Sequence, residues 1–259
     1  MATVVLSVAG SDPSGGAGLQ ADLRLFARRG LYGTAVVAGI TVQDSRGVQR
    51  AEAVEAGLFA QQLDSVFGDL AVAAAKSGML GSAANVAALA DRIGDVPLVV
   101  DPVLISSSGR ALLDVDGLEA LRSRLLPRAR LCTPNLAEAA ALLDVRQVAA
   151  ADAAEAARSL AERFGLSVVV TGGHGGGGRS VDQAWILEGR GGRALSLDGP
   201  RVDTDDDHGT GCLHSAAIAA ALAEGKGLEQ ALREGRAAVT QALIDAVRPG
   251  RGRGSVYAR

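Results

Sequence analysis

A short segment, His208-Gly209-Thr210-Gly211-Cys212, leads into a run of small and apolar residues that predicts a helix. The first amides of a helix have no intrahelical acceptors, and they lie at the positive end of the helix dipole. Such a helix start binds anions, phosphate groups above all. The alternative is an ordinary helix start that uses glycine for its turn and the small thiol for packing. Gly209, Thr210, Gly211 and Cys212 are therefore a candidate phosphate site.

Two acidic residues, Asp101 and Glu138, are candidates for a site that binds a metal ion and phosphate. Asp101 ends a buried apolar run, where an unpaired charge is costly. Glu138 lies three residues after Asn135, and the simple interpretation of this pair is a helix capping box. In the functional interpretation, Asp101 and Glu138 are carboxylates of a magnesium site. Glu138 would then act through water, because Mg²⁺ holds its waters tightly.

Two segments are rich in glycine, residues 10–18 and 172–178. The first lacks the Gly-Lys-Ser/Thr of a Walker P-loop. Its Gly16–Ala21 part matches the dinucleotide pattern Gly-x-Gly-x-x-Gly/Ala, but about seven residues separate it from the strand that it should follow directly. An NAD-dependent dehydrogenase is therefore a weak alternative, and we expect these glycines to let the backbone approach a ligand. The second segment either lines a nucleotide site or forms a flexible loop.

Composition limits the classes of function. Hydrophobic residues make up 48% of the 259 residues and aromatic residues 3%, so the core must consist of Ala, Val, Leu and Ile. The net charge of −3, with acids and bases interspersed, predicts no nucleic-acid partner. Cys132 and Cys212 lack metal-ligand spacing, which favours a reducing compartment without zinc. The N-terminus does not resemble a signal peptide, and no apolar run is long enough to span a bilayer. We expect a soluble, cytoplasmic protein.

Short β-branched runs alternate with helical patterns, which predicts an α/β fold with a mostly parallel sheet and helices on both faces. We predict strands at 4–8, 35–41, 72–76, 98–101, 131–133 and 168–171, and helices at 19–29, 58–67, 83–93, 118–125, 136–143, 153–164, 212–223 and 228–246. Residues 183–188 and 193–197 predict an antiparallel hairpin at the sheet edge. We expect one domain over 1–259 with a flexible tail from about residue 249. The candidate residues fall at strand ends, where doubly wound sheets bind ligands.

Taken together, several segments resemble the hydroxymethylpyrimidine/phosphomethylpyrimidine kinases of thiamine biosynthesis, a family of the ribokinase-like superfamily. The matching segments are AGSDPSGGAGLQADL (9–23), ITVQDSRGV (40–48), KSGML (76–80), DPV (101–103), LLPRARLCTPNLAEA (125–139), GGHG (172–175) and HGTGC (208–212). The resemblance implies a three-layer α/β/α fold and phosphorylation of 4-amino-5-hydroxymethyl-2-methylpyrimidine by ATP with Mg²⁺. A second phosphorylation, of the monophosphate, and a homodimer are also implied.

The resemblance assigns roles to individual residues. The pyrimidine pocket would comprise Gln43, Asp22, Met79, Ala17 and Val103, with Gln43 hydrogen-bonding the amino and ring-nitrogen edge. ATP and its phosphates would contact Asp101, Asn135, Thr171 and Gly173, and Asp101 and Glu138 would organise Mg²⁺. Most ribokinase-like enzymes have an aspartate base at the position of Cys212. We hypothesise that Cys212 accepts the hydroxymethyl proton late in the transfer, while the amides of residues 209–212 stabilise the developing charge.

The chain departs from the family pattern at three places. Thr171 replaces a lysine expected near the ATP phosphates, Asp206 and Asp207 replace Asn-Thr before the anion site, and Asp44 replaces the asparagine that usually follows the glutamine. Threonine at position 171 resembles ribokinases and pyridoxal kinases. The alternatives are therefore a pyridoxal or pyridoxine kinase of the same superfamily and a non-catalytic pyrimidine-binding regulator.

Overall fold

The computed structural model describes residues 2–106, 109–175, 178–189 and 191–257, except for the side-chain surroundings of 173–175. Its strands are β1 (Val4–Ser11), β2 (Tyr32–Asp44), β3 (Gly47–Ala53), β4 (Val72–Ser77), β5 (Leu98–Val100), β6 (Leu131–Cys132), β7 (Ser167–Gly175), β8 (Arg179–Glu188) and β9 (Gly191–Pro200). Within the described ranges they form one nine-stranded sheet in the order β3-β2-β1-β4-β5-β6-β7-β8-β9. The pairs from β2 through β7 are parallel, while β3, β8 and β9 pair antiparallel.

Helices cover both faces of this sheet. They are α1 (Gly18–Arg28), α2 (Ala56–Asp69), α3 (Ala83–Arg92), α4 (Val115–Ala120), α5 (Leu136–Leu143), α6 (Ala153–Phe164), α7 (Thr210–Ala223) and α8 (Leu228–Ile244). A π-helical turn, Leu121–Leu125, continues α4. One apolar core lies between the sheet and α2 to α6, and a second lies between the sheet and α1, α7 and α8. The three-layer α/β/α architecture with a mostly parallel sheet and an antiparallel edge is thus confirmed.

The central strands are apolar on both faces because helices cover both. All residues from Val4 to Gly10 are buried in β1, and α7 is buried almost continuously from Leu213 to Ala221. The predicted edge hairpin is confirmed and is longer than expected. Strand β3 was not predicted, because its sequence GVQRAEA is polar and poor in strand-forming residues. It forms by antiparallel pairing with the neighbouring β2.

The chain end differs from the flexible tail that we expected. Ser255 forms bridges with both Val247 and His208, and the side chain of Val256 is buried. The segment up to Tyr257 therefore packs beside the start of α7, next to the candidate phosphate site. Among the described helices, none combines the length and apolarity needed to cross a membrane.

Candidate active site

A cavity of about 520 Å³ lies where the parallel strands end. Residues from the ends of β1, β2, β5, β6 and β7 line it, together with the first turn of α7. This is the edge at which open α/β sheets bind ligands. The cavity brings together most of the residues predicted from the sequence: Ala17, Gln43, Met79, Val103, Asp101, Asn135, Glu138, Thr171, Gly209, Thr210, Gly211 and Cys212.

Met79 forms an apolar wall of the end of the cavity that contains Gln43. A Cβ atom on Gly39 would lie 2.6 Å from the Met79 methyl carbon, so the thioether packs directly on the backbone of β2. Thr41 is held on the same strand by donating to the Ser11 carbonyl at 2.9 Å. Gln43 lies two residues further along β2 and is half-buried. A polarisable thioether and an amide lining one cavity suit a heteroaromatic ring with a polar edge.

Asp22 is not among the residues that line this cavity, so its place in the pyrimidine pocket stays a prediction. Its side chain is fully buried beneath the site, where it accepts hydrogen bonds from Ser7 Oγ at 2.5 Å and Lys76 Nζ at 2.8 Å. An α1 residue at this register points into the sheet, toward the strand end that carries Lys76. Burying the two charges requires that they pair, and each satisfies the other.

Lys76 is a site residue that sequence reasoning missed. Its side chain is fully buried in β4. Although burial alone would lower its pKa, the acidic groups around it, first Asp22 and then Cys212 and Asp101, raise the pKa well above its usual value. Lys76 is therefore a fixed cation under the reacting groups. The signal was present in the segment KSGML, where a lysine ends an otherwise apolar strand.

The start of α7 has the geometry of an anion site. Gly209 adopts φ +87°, and a Cβ there would lie 2.0 Å from the Gly16 carbonyl oxygen, so only glycine fits. The first intrahelical bond runs from the Leu213 amide to the Gly209 carbonyl at 2.9 Å. The Thr210 amide and hydroxyl both donate to the Asp207 carbonyl, at 3.2 and 2.6 Å. Gly211 and Cys212 line the cavity from the first turn, where helix amides lack intrahelical acceptors.

Cys212 is half-buried at this helix start. Desolvation of the thiol and the nearby charges of Asp101 and Asp22 raise the pKa of Cys212 to about 11, against the opposing effect of Lys76. Burial and the two acids therefore outweigh the effect of Lys76 on the pKa of the thiol. The thiol is consequently protonated at neutral pH in the free protein.

Asp101 lies behind the helix start and is nearly fully buried. Ser215 donates its hydroxyl to Asp101 Oδ2 at 3.1 Å, and a Cβ on Gly211 would lie 3.8 Å from the same oxygen. Burial raises the pKa of Asp101, although Lys76 and the Ser215 hydrogen bond oppose this shift. Ser215 is a second residue that we did not predict, and its position one turn after Gly211 is the only sequence signal for it.

The capping-box interpretation of Asn135 and Glu138 is confirmed, and the magnesium role of Glu138 stays a prediction. The Asn135 amide donates to Glu138 Oε2 and the Glu138 amide donates to Asn135 Oδ1, each at 2.9 Å, which is a capping box at the start of α5. Glu138 also lines the cavity. Burial and the negative charge of Asp101 raise the pKa of Glu138 to about 8. This carboxyl group is therefore held beside another acid without a cation of its own.

The pair Asp101 and Glu138 fits a magnesium ion. Mg²⁺ prefers carboxylate oxygens, retains several waters and shares substrate phosphates instead of filling its shell with protein ligands. Within the described residues no cluster of three His, Cys, Asp or Glu side chains forms a complete metal cage. Asp101 and Glu138 both line the cavity, which agrees with a metal that enters with a nucleotide.

The position at which a lysine was expected lies at the far side of the cavity. Thr171 bridges to Asn135, its amide donates to the Pro134 carbonyl at 2.9 Å, and it lines the cavity. The next amide, of Gly172, donates to Asp182 Oδ1 at 3.3 Å. Gly173 pairs with Val181 in β7, and its surroundings lie outside the described part of the chain.

The two unexpected acids before the phosphate site are both paired with arginines of the chain end. Arg248 Nε donates to both Asp206 oxygens, at 2.6 and 2.7 Å, and the Gly254 amide donates to Asp206 at 2.7 Å. These hydrogen bonds hold the pKa of Asp206 below its usual value. Arg253 lies 2.8 Å from Asp207. The added negative charges are therefore offset locally by Arg248 and by Arg253, which lies in the tail that we expected to be flexible.

The chain is similar to known proteins over nearly its whole length. A sequence model of the phosphomethylpyrimidine kinase family matches residues 12–257. A hydroxymethylpyrimidine/phosphomethylpyrimidine kinase from Rhizobium meliloti is 43% identical, covering 99% of this chain and 97% of that protein. The crystal structure of a Bacillus subtilis pyridoxal kinase with ADP is 30% identical with a TM-score of 0.89, covering 99% of this chain and 97% of the other. A phosphomethylpyrimidine kinase structure from Clostridium difficile is 31% identical with a TM-score of 0.76, covering 93% and 99%.

Proposed function

Since the chain belongs to the phosphomethylpyrimidine kinase family and is a phosphotransferase, we propose that it phosphorylates 4-amino-5-hydroxymethyl-2-methylpyrimidine with ATP. The product would be phosphorylated again to the pyrophosphate used in thiamine biosynthesis. The observation that carries this proposal is one cavity that places Gln43 and Met79 together with the anion site of α7 and two acids. We propose that residues 1–259 act as one kinase domain.

One end of the cavity would bind the pyrimidine ring, and the other would hold the groups that take part in phosphoryl transfer. Gln43 would bind the amino and ring-nitrogen edge, while Met79, Ala17 and Val103 would enclose the ring. The hydroxymethyl group would then face Cys212. Holding the alcohol in line with the phosphoryl group supplies much of the rate enhancement, because the loose transition state of phosphoryl transfer needs positioning and charge stabilisation above all.

Hydrogen-bond donors and a cation at fixed positions would stabilise the negative charge that develops in the transition state. Gly211 and Cys212 line the cavity at the positive end of α7, and Lys76 lies beneath them as a buried cation. Asp101 and Glu138 would hold Mg²⁺, which neutralises the nucleotide phosphates when bound. Asn135, Thr171 and Gly173 would contact the phosphates, with threonine offering a hydroxyl where the family has an ammonium.

Cys212 would accept the hydroxymethyl proton late in the transfer. The raised pKa means that the active form is a minor thiolate, which is a strong base for an alcohol proton once it has formed. Lys76 stabilises that thiolate, since its charge favours the negative sulfur. The proton would move from the hydroxymethyl oxygen to the Cys212 sulfur as that oxygen bonds to the γ-phosphorus of ATP and the bond from this phosphorus to the ADP oxygen breaks.

The assay that tests this function incubates the protein with ATP, Mg²⁺ and either the pyrimidine alcohol or its monophosphate, and resolves the products by mass. We expect the monophosphate from the first substrate and the pyrophosphate from the second. Turnover of neither would contradict the proposal and favour a non-catalytic pyrimidine-binding regulator. Pyridoxal belongs in the same assay, because a pyridoxal kinase has the TM-score of 0.89 given above. Faster turnover of pyridoxal would favour that alternative.

We also propose a homodimer in a reducing, cytoplasmic compartment. Ile40 and Val42 are exposed on β2, on the face away from Gln43, with 60% and 52% of their surface accessible. An exposed apolar face on the strand next to the sheet edge is suited to packing against a second copy. Cys132 and Cys212 are both free thiols. Light scattering of the purified protein checks the dimer, which a monomeric mass would contradict.

A further inference from the structure

Three glycines alternate in the segment that we expected to be flexible, and each of them lies against a loop of the candidate site. A Cβ on Gly250 would lie 2.4 Å from Ser45 Oγ, and one on Gly252 would lie 2.1 Å from the Ser45 carbonyl oxygen. A Cβ on Gly254 would lie 2.5 Å from Asp206 Cγ. None of the three adopts a positive φ, so it is close contact with a neighbouring loop that requires glycine here.

Gln43 lies on a part of the sheet that needs support. The pairing of β2 with β1 ends at Ile40, and within the described residues positions 41–44 pair with β3 alone. Strand β3 is the last strand of the sheet. A two-stranded hairpin is marginally stable by itself. The position of Gln43 therefore depends on the contacts that hold the turn between β2 and β3.

Residues 250–256 hold that turn. The Gly252 amide donates to Ser45 Oγ at 2.9 Å, and the Arg253 amide donates to the Ser45 carbonyl at 2.9 Å. Ser45 lies in the turn, two residues after Gln43. The β2–β3 hairpin that carries Gln43 is thus hydrogen-bonded to a segment that is about 200 residues away in the chain.

The same segment is bonded to the residue before the phosphate site. The Gly254 carbonyl accepts from the His208 amide at 3.3 Å, and the Val256 amide donates to the His208 carbonyl at 3.0 Å. His208 directly precedes Gly209, and its Nε2 lies 3.1 Å from Gln43 Nε2. Residues 250–256 therefore connect the side of the cavity that carries Gln43 with the side that carries the anion site.

We propose that residues 250–256 form a strap that fixes Gln43 relative to the start of α7, and that Ser45 and Gly252 are thereby positioning residues for phosphoryl transfer. This inference rests on the proposed function. The β2–β3 hairpin would hold the pyrimidine and α7 would hold the phosphoryl group, so the distance between the alcohol oxygen and the phosphorus depends on both. A displacement of about 1 Å between them can lower the transfer rate about 10²-fold, while each ligand remains bound on its own side.

Gly250→Ala tests the strap with the smallest change, because the added methyl group meets the side chain of Ser45, with Oγ at 2.4 Å and Cβ at 2.9 Å. We expect the single-turnover rate on the pyrimidine alcohol to fall about 10- to 100-fold. The dissociation constant of ATP and the free energy of unfolding in urea should stay near the wild-type values, since Gly250 is exposed and the clash is confined to the turn. Gly68→Ala in α2 is the matched control, because its methyl group meets nothing within 4 Å, and its activity should be unchanged.

Two double variants separate the strap contact from a general loss of function. Ser45→Gly removes both atoms that the Gly250→Ala methyl group meets, so the double variant should transfer phosphate as fast as Ser45→Gly alone. The methyl group of Gly252→Ala instead meets the Ser45 carbonyl oxygen at 2.1 Å. Ser45→Gly leaves that atom in place, so the loss of rate in Gly252→Ala should persist in the second double variant.

A wild-type transfer rate in Gly250→Ala would overturn the inference, as would a Gly250→Ala defect that Ser45→Gly does not relieve. Losses of transfer rate, ATP binding and unfolding free energy in the same proportion would also overturn it, because a purely structural role predicts them together. Where Gly252→Ala does not fold, the pair of Gly250→Ala and Ser45→Gly decides the question. An unaltered protein that does not phosphorylate the pyrimidine alcohol would instead overturn the proposed function itself.

Discussion

The pH dependence of phosphoryl transfer tests the role of Cys212 most directly. The pKa of the thiol is raised to about 11 by desolvation and by the charges of Asp101 and Asp22. Four units above neutrality, the thiolate is about one part in 10⁴ of the free enzyme at pH 7, which corresponds to about 5 kcal/mol. If the thiolate is the active form, the transfer rate rises about tenfold for each pH unit below the pKa.

The assay is a single-turnover measurement, in which enzyme in excess over the pyrimidine alcohol is mixed with ATP and quenched at intervals between about pH 6 and pH 10. Single turnover keeps product release out of the rate. Cys212→Ala and Cys212→Ser should both lose about 10² to 10⁴ in rate, with little change in pyrimidine binding, because neither side chain supplies a thiolate. Both should also lose the steep rise that the wild type shows toward high pH.

Glu138 requires a control of its own. Its pKa of about 8 means that it ionises within the same range, and an ionised Glu138 would favour metal binding as pH rises. Glu138→Gln removes this contribution while leaving the thiol in place. A rise that disappears in Glu138→Gln but persists in Cys212→Ala would refute the reasoning, as would Cys212→Ser with near-normal turnover. The amides of α7 would then be sufficient without a base.

Three further results are expected. Gln43→Leu should weaken pyrimidine binding about tenfold or more and leave ATP binding unchanged in calorimetry, since it removes only the amide edge; equal losses for both ligands would contradict the assignment. Lys76→Met should lower the free energy of unfolding in urea by about 3–5 kcal/mol, because it leaves the buried charge of Asp22 without its partner. The double variant Lys76→Met with Asp22→Leu should recover part of this loss, since it removes the unpaired charge. Arg253→Gln should raise the KM for ATP about two- to fivefold by exposing the charge of Asp207, and adding Asp207→Asn should restore it; additive effects would show that the two side chains are independent.

Local patterns predicted those parts of the fold that depend on local physics. Alternating apolar strands and amphipathic helices predicted both layers, and Asn135 with Glu138 predicted its capping box. Strand β3 could not be predicted, because it forms through pairing with β2 and not through its own residues. Likewise, Asp22 could be assigned to the pocket only by resemblance. Its actual partner is Lys76, which is 54 residues away in the chain and meets it only when α1 packs on the sheet.

The two acids before the phosphate site show that a departure from a family pattern has to be considered together with the residues that it contacts. Taken alone, Asp206 and Asp207 add negative charge where a phosphate must bind, and this charge argues against activity. The fold places Arg248 and Arg253 against them, and the same chain end fixes His208 between Gly254 and Val256. One segment therefore offsets the added charge and positions the residue that faces Gln43. Because the phosphate site and the hairpin that carries Gln43 share this support, loss of the whole chain end should impair nucleotide binding and phosphoryl transfer together.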